Sequence, residues 1–332
     1  MKRLPRNTLY AAVIVVFLIS FCSMLYYGKE TFYVEKKLSS QQIYDYHFAL
    51  ITEEVGNDYW RLIENGAKEE AAKHNVYLEY IGPRKSDNEE KLQTFDRMIS
   101  AKVDGIITQG IGGERFKALV HKAVERGIEV ITVDTDVPHS ERQVYVGTDN
   151  YQAGYLAGQA LINDTEGEVH VGVVIGLLDA LNQQDRLKGF NDAIAEEKRI
   201  HLADVKESNI TEIGAAEAAY SLLKEHPQIN ALVGTSALDG MGIVQGIEEI
   251  HLTVEPYVLA FDILPQTLEL IDQDKIDATI TQYPAQMGKL AVRHMVDLQT
   301  GRQVEQLQFT ETGIIRNKDI SNGEIIKKGD ES

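Results

Sequence analysis

The chain has 332 residues, 43% hydrophobic and 25% charged, a composition that excludes collagen-like, low-complexity and extensively disordered classes. Its formal net charge is −18, and since Lys2, Arg3 and Arg6 are the only charges before Lys29, the remainder carries −21. So acidic a surface repels phosphate backbones and anionic lipid heads, which argues against nucleic acid as a partner.

One cysteine, Cys22, leaves no intramolecular disulfide and no Cys-based zinc site. The nine histidines are scattered singly, and none pairs at the i, i+4 spacing that sets two imidazoles on one helical face. No metal and no cofactor is expected.

Positions 1–8 are basic and read as a cytoplasmic N-terminus. The stretch 9–27, LYAAVIVVFLISFCSMLYY, has no formal charge and approaches the roughly 20 apolar residues that a membrane-crossing helix needs. Basic residues before it and Tyr26 and Tyr27 at its end fit a transmembrane signal anchor with the remainder outside. A lipoprotein signal would place a small residue before Cys22, where Phe21 is bulky. Ser20-Phe21-Cys22 only approximates a cleavage site. An uncleaved anchor is the favoured reading, with lipid attachment at Cys22 and cleavage elsewhere as alternatives; each exports the domain. Residues 28–45 are polar, mixed in charge, and read as a stalk.

Beyond the stalk, short β-branched runs alternate with amphipathic stretches. Strands are predicted at 47–52, 76–81, 105–109, 129–134, 169–176, 230–235, 257–262 and 278–282. Helices are predicted at 60–74, 89–101, 115–126, 151–162, 215–225 and 286–298. Such alternation denotes βαβ units and parallel sheets covered on both faces. Their number exceeds one comfortable sheet, so the fold class is α/β with two doubly wound parallel-sheet lobes. The polar stretch 134–150, DTDVPHSERQVYVGTDN, divides the two series and is expected to cross between lobes.

In open parallel sheets ligands bind beyond the carboxyl ends of strands, where loops converge. Polar residues expected there are Glu53, Glu54 and Asn57, then Gln109 and Asp134, and in the second half Ser236, Asp262 and Gln282. A buried strand-end carboxylate needs hydrogen-bond partners, and sugar hydroxyls, each donor and acceptor, supply them. Asp134 or Asp262 could equally cap a following helix or turn. Tyr59 and Trp60 follow Asn57, and an aromatic face can stack on a sugar ring or pack on the sheet. Arg186, in NQQDRLKGF, is a fixed cation whose fork of donors can bridge several hydroxyls; the alternative is a surface ion pair with Asp185 or Glu197.

Seven stretches in order, FALITEEVGNDYWRLIENGAKEEA, VDGIITQG, GIEVITVDTDV, YVGTDNYQAGYLAGQAL, RLKGFNDAI, YVLAFDILP and ATITQYPAQMGKLAV, resemble the periplasmic sugar-binding proteins of the ribose-binding type. The resemblance spans about residues 48–315 and implies the type I periplasmic binding fold, two lobes joined by three crossovers and closing on a ligand. It implies an N-terminal lobe of 46–147 plus 284–308 and a C-terminal lobe of 148–283 plus 309–332. It assigns Asn57, Tyr59 and Trp60 to the first-loop amide and aromatic pair, and Asp134 and Arg186 to the strand-end carboxylate and second-lobe arginine. Asp262 and Gln282 match the last carboxylate and amide, and Gln109 falls where the family often has asparagine.

Two positions depart from the ribose pattern. Thr135 replaces an arginine and Ser236 an asparagine, which changes the hydroxyl pattern such a site can read. The expected ligand is therefore a monosaccharide or similar polyol, and the expected partner an ABC permease, with a sensor histidine kinase or chemoreceptor as alternative. A repressor of the related lactose-repressor type would begin with a helix-turn-helix, where this chain has its apolar segment. Asp134 and Asp262 could form an acid/base pair for glycoside chemistry, but no Glu stands at a strand end beside an apolar wall that would raise its pKa. No Walker loop is present, and TEEVGN lacks the dinucleotide glycines. The loop Gly110-Ile111-Gly112-Gly113 could cradle an anion or simply turn the chain. The expectation is a binding protein and not an enzyme.

Overall fold

A computed structural model describes residues 6–32, 43–250, 252–321 and 323–326, with side chains of the first stretch described at Tyr10 and 14–27. Lys2, Arg3, positions 33–42 of the expected stalk and the terminus 327–332 lie outside the described residues. The chain divides into two compact units, Met1–Ile43 and Tyr44–Ser332. The first contains helix α1 (Arg6–Phe32), whose described apolar side chains, including Phe17 and Met24, are exposed. Among the described residues no helix is long and apolar enough to cross a membrane.

The second unit begins with strand β1 (Tyr46–Ile51), helix α2 (Asp58–Lys73), β2 (Val76–Ile81), α3 (Asn88–Ala101), β3 (Gly105–Gln109), α4 (Glu114–Glu125), β4 (Glu129–Val133) and β5 (Val144–Gly147). It continues with α5 (Asn150–Asp164), β6 (Val169–Ile175), α6 (Leu181–Ile194), β7 (Ile200–Glu207), α7 (Glu212–Glu225), β8 (Ala231–Gly234), α8 (Asp239–Glu248), β9 (Tyr257–Phe261), α9 (Pro265–Asp272) and β10 (Ala278–Ile280). After α10 (Pro284–Gln299), β11 (Leu307–Phe309) and β12 (Ile314–Arg316), a small hairpin pairs Ile320–Ser321 with Glu324–Ile325.

Two six-stranded sheets result. The first runs β11-β5-β4-β3-β1-β2, all parallel; the second runs β12-β10-β9-β8-β6-β7, parallel except for β12 at its edge. The strands β4, β5, β8 and β9 are almost wholly buried, as expected when helices cover both faces of a parallel sheet. The helices begin where their sequences supply acceptors. Asn57 caps α2, Asp87 caps α3, Asp149 caps α5 and Thr211 caps α7, each through a side-chain oxygen accepting backbone N–H groups. Pro265 and Pro284 occupy first helical positions, where a missing N–H costs nothing.

The chain passes between the sheets three times, at 148–149, 281–283 and 310–313. This is the type I periplasmic binding fold implied by the resemblance. The expected crossover at 134–150 needs correction: Val144–Gly147 inside it is β5, a buried strand of the first sheet, and only its last few residues cross. Its four residues stand in a stretch otherwise rich in Pro, Ser and charge, so the run reads as part of a loop. The edge strand β7, IHLADVKE, escaped for another reason, since its outer face is exposed and polar.

Helices that position the site pack with backbone in contact. A Cβ added at Gly154 of α5 would lie 1.9 Å from the Arg186 carbonyl oxygen, and one at Gly189 of α6 2.0 Å from that of Tyr151. These glycines seat α6, and with it Arg186, against α5. Glu70 similarly ties α2 to α10: its hydrogen bond from Arg293, 2.9 Å, holds the carboxyl down at about 2. We expect Gly154→Ala to force the two helices apart and destabilise the fold by about 1–3 kcal/mol, seen as a lower urea midpoint at unchanged m-value.

Candidate functional site

Asp134 follows β4 and Asp262 follows β9, equivalent places in the two sheets. Both have left-handed backbone, φ 67° and 73°, a conformation few non-glycine residues other than Asp and Asn adopt readily. Each turns its carboxylate into a cavity between the lobes, where Asp134 is 4% and Asp262 2% exposed. Neither acts as a helix cap: the N-cap position of α9 is Leu264, with no side-chain cap bond.

The cavity brings together the residues expected at the strand ends, Glu53 and Glu54 included, with Tyr59, Trp60 and Arg186. The first lobe provides Asn57, Tyr59, Trp60, Gln109 and Asp134, and the second Arg186, Ser236, Asp262 and Gln282. Its volume is about 60 Å³, several times the roughly 10–15 Å³ that one water needs on this measure. It is scaled to a small molecule and not to a polymer.

Asp134 is nearly saturated. Its Oδ1 accepts from the Tyr59 hydroxyl at 2.8 Å, and its Oδ2 from Thr135 Oγ1 at 2.9 Å, Asn182 Nδ2 at 3.2 Å and Gln109 Nε2 at 3.3 Å. Thr135, which stands where the ribose pattern has arginine, thus supports Asp134 with a hydroxyl. Burial, reinforced by the charges of Asp134 and Asp262, pushes the Tyr59 phenol well up, so it stays protonated as a donor. Tyr59 and Trp60 also meet edge-on and share an apolar cluster with Ala237, Met241 and Leu264 of the opposite lobe. Packing and cavity lining are therefore both true of this pair. Asn57 likewise lines the cavity while its Oδ1 caps α2.

Arg186 is buried, not a surface ion pair with Asp185 or Glu197. Its Nε donates to Asn150 Oδ1 at 2.9 Å, Nη1 to the Thr235 carbonyl at 2.6 Å and Nη2 to Gln282 Oε1 at 2.7 Å, and its plane lies over Phe261. Gln282 passes the connection on, donating from Nε2 to Asp262 Oδ1 at 2.9 Å and accepting from the Thr148 hydroxyl at 2.9 Å. Two of the three crossovers are joined by that last bond.

Among the described residues, two buried cavity atoms have no hydrogen-bond partner. Asp262 Oδ2 and Ser236 Oγ are buried without a hydrogen bond. An unpaired buried carboxylate oxygen is costly, and burial, opposed by Arg186 and reinforced by Asp134, pushes the Asp262 carboxyl up to about 7.

Sequence reasoning missed Asn182 and Gln183, which line the cavity from α6. The signal was present: they stand four and three residues before Arg186, on the same helical face. It also missed Ser86, from the β2–α3 loop, and Lys91, which bonds to Gln109. Close packing accounts for Gly110, because its Cβ would lie 2.5 Å from the Thr135 carbonyl oxygen. Among the described residues the one cluster with metal-ligand geometry is Asp204, Glu225 and His226, away from the cavity, where Lys206 already bonds Glu225 at 2.8 Å.

A family model described as a periplasmic binding protein domain matches residues 48–303. The chain belongs to the periplasmic binding protein family. That is a family of solute-binding proteins and not of enzymes. Among solved structures, GanP, a glucose-galactose binding protein from Geobacillus stearothermophilus, is 46% identical, with 83% of this chain and 98% of that one covered and a TM-score of 0.80. The XylFII-LytSN complex contains a chain 32% identical, with 84% of this chain and 100% of that one covered and a TM-score of 0.79. A D-ribose/D-allose-binding protein from Pseudomonas aeruginosa is 23% identical over 314 residues, which is 92% of this chain and 95% of that protein. This periplasmic binding protein therefore has its family's two-lobed frame, with the carboxylates between the lobes.

The Asp262 carboxyl gives a pH signature. Its folded value of about 7 exceeds the unfolded value of about 3.9, so between them the native state holds a proton the unfolded state has lost, and stability falls as pH rises. Asp239, pushed up to about 6 chiefly by burial, acts in the same direction. In calorimetry without added sugar, Asp262→Asn should flatten the decline in Tm from about pH 4 to 7; an unchanged slope would show that Asp262 ionises normally.

Proposed function

We propose that this chain is an extracytoplasmic, membrane-anchored binding protein for a monosaccharide or similar polyol, which closes around its ligand to serve an ABC importer. The observation that carries this reading is the unpartnered Oδ2 of Asp262, with Ser236 Oγ nearby in the same buried cavity. A neutral ligand bearing several hydroxyls donates to the carboxylate and exchanges hydrogen bonds with the serine. In this reading Asn57, Tyr59, Trp60, Gln109, Asp134, Arg186, Ser236, Asp262 and Gln282 form the ligand site, some by contact and some by holding their neighbours.

The lobes are taken as 46–147 with 284–308 and 148–283 with 309–332. Ligand contacts made from the second lobe only when the cleft is shut shift the population to the closed state. The 46% identity to GanP makes D-glucose and D-galactose the first sugars to test.

The sequence 9–27 supports an anchor by its lack of charge and its preceding basic residues. A second reading is sugar sensing, in which the closed form is presented to a membrane histidine kinase or chemoreceptor. It is favoured by the tether, which would keep the domain beside such a partner, and by likeness to a protein solved together with LytSN.

Trp60 is the only tryptophan, so intrinsic emission reports the cavity. Titration with D-glucose or D-galactose should change that emission saturably, and Asp134→Ala should weaken binding about 10- to 100-fold with the fold retained. If a broad sugar and polyol panel left emission and Tm unchanged, the sugar reading would fail. For the anchor, the full chain should remain in the membrane fraction through alkaline carbonate and be released by detergent; release by carbonate alone would count against it.

A further inference from the structure

We propose that Lys91 is a positioning residue of the ligand site, which holds the Gln109 amide in the one orientation that serves Asp134; the inference rests on the sugar-site reading. Lys91 lies on α3 and is 2% exposed. Its ammonium bonds to Glu53 Oε2 and, at 3.0 Å, to Gln109 Oε1. The other Glu53 oxygen accepts from the Ser86 hydroxyl. Burying a charged pair is unfavourable unless the ions and their remaining valences are well matched, so its place beside a ligand cavity calls for an account.

An ammonium only donates, whereas a glutamine amide has a donor end and an acceptor end that can exchange by a flip. With Lys91 beside it, the Gln109 atom on that side must be oxygen. Its Nε2 is thereby directed the other way, 3.3 Å from Asp134 Oδ2 and 3.3 Å from Thr135 Oγ1. The flipped amide would set its oxygen against the Asp134 carboxylate and its NH2 against the ammonium, and both contacts would be repulsive.

The consequence reaches the ligand through Asp134. Gln109, Thr135 and Asn182 together occupy Asp134 Oδ2, which leaves Oδ1, shared with Tyr59, as the oxygen better able to accept a further donor. Lys91 thus decides, two hydrogen bonds away, which Asp134 oxygen a hydroxyl can meet. A pair serving stability alone would only tie α3 to the loop after β1.

Lys91→Met by itself would leave the Glu53 charge buried without a counter-ion, so the decisive variant is Lys91→Met/Glu53→Met in the full chain, purified in detergent. It is read against Glu53→Gln, which should bind near wild type, because Glu53 itself lines the cavity. The Tm of the double variant should stay near wild type, while its Kd for whichever of D-glucose or D-galactose the wild type binds should rise about tenfold or more. A folded double variant that binds within about twofold of wild type would overturn the proposal. A second measurement needs no ligand. In wild-type protein the Gln109 side-chain amide protons, assigned by their loss in Gln109→Asn, should exchange with solvent far more slowly than those of exposed glutamines; free exchange would overturn the lock. If the wild type binds neither sugar, it is the sugar assignment that suffers, and the amide exchange still decides the role of Lys91.

Discussion

A carboxylate taken out of water at the end of a buried strand must be given donors, or it drives the fold apart or takes up a proton. Asp134 and Asp262 impose that constraint twice, at equivalent places in the two sheets. Much of the polar architecture around the cavity follows from how each is answered. Asp134 is surrounded by Tyr59, Thr135, Gln109 and Asn182, whereas Asp262 has Gln282 on one oxygen and, among the described residues, no partner on the other. That asymmetry separates a carboxylate satisfied by protein from one that a ligand could complete.

The same constraint links binding to the relation between lobes. Asn182 reaches from the second lobe to Asp134 in the first, and the apolar cluster of Tyr59 and Trp60 takes in Ala237, Met241 and Leu264 from across the cleft. Separation of the lobes would remove a donor from Asp134 and expose part of that cluster, so the contacts that shut the cleft also complete the site. Arg186 extends the coupling to the hinge, since Gln282 receives both its guanidinium and the Thr148 hydroxyl. Gly154 and Gly189 matter here because they let α6, which carries Asn182 and Arg186, lie directly on α5.

Strands β1, β2 and β3 and the helices α2, α3 and α10 were legible from sequence, whereas the helices α6, α8 and α9 were not. Strand β5 was not, because the polar stretch around it reads as a crossover, and neither was β7, whose exposed edge replaces apolar residues with polar ones. In the site, strand-end carboxylates and amides were legible because the topology of parallel sheets sends such ends to one crevice. Asn182 was not recognised although it stands one turn from Arg186, and Lys91 could not be read from its own surroundings in NEEKLQTF, where it looks like a solvated helix charge. Only the approach of Glu53, 38 residues away in sequence, shows it to be buried.

What the sequence by itself determined is the α/β class, the two-lobed organisation and the strand-end residues at the cavity, because periodicity, strand-end position and an ordered resemblance are local or collinear properties. What only the tertiary structure decided is how those residues divide their work. Arg186 could have been a surface ion pair and Asp134 a cap on local grounds. Each was settled by a partner distant in the chain, since the direction of a hydrogen bond and the burial of a charge depend on which atoms the fold brings within about 3 Å.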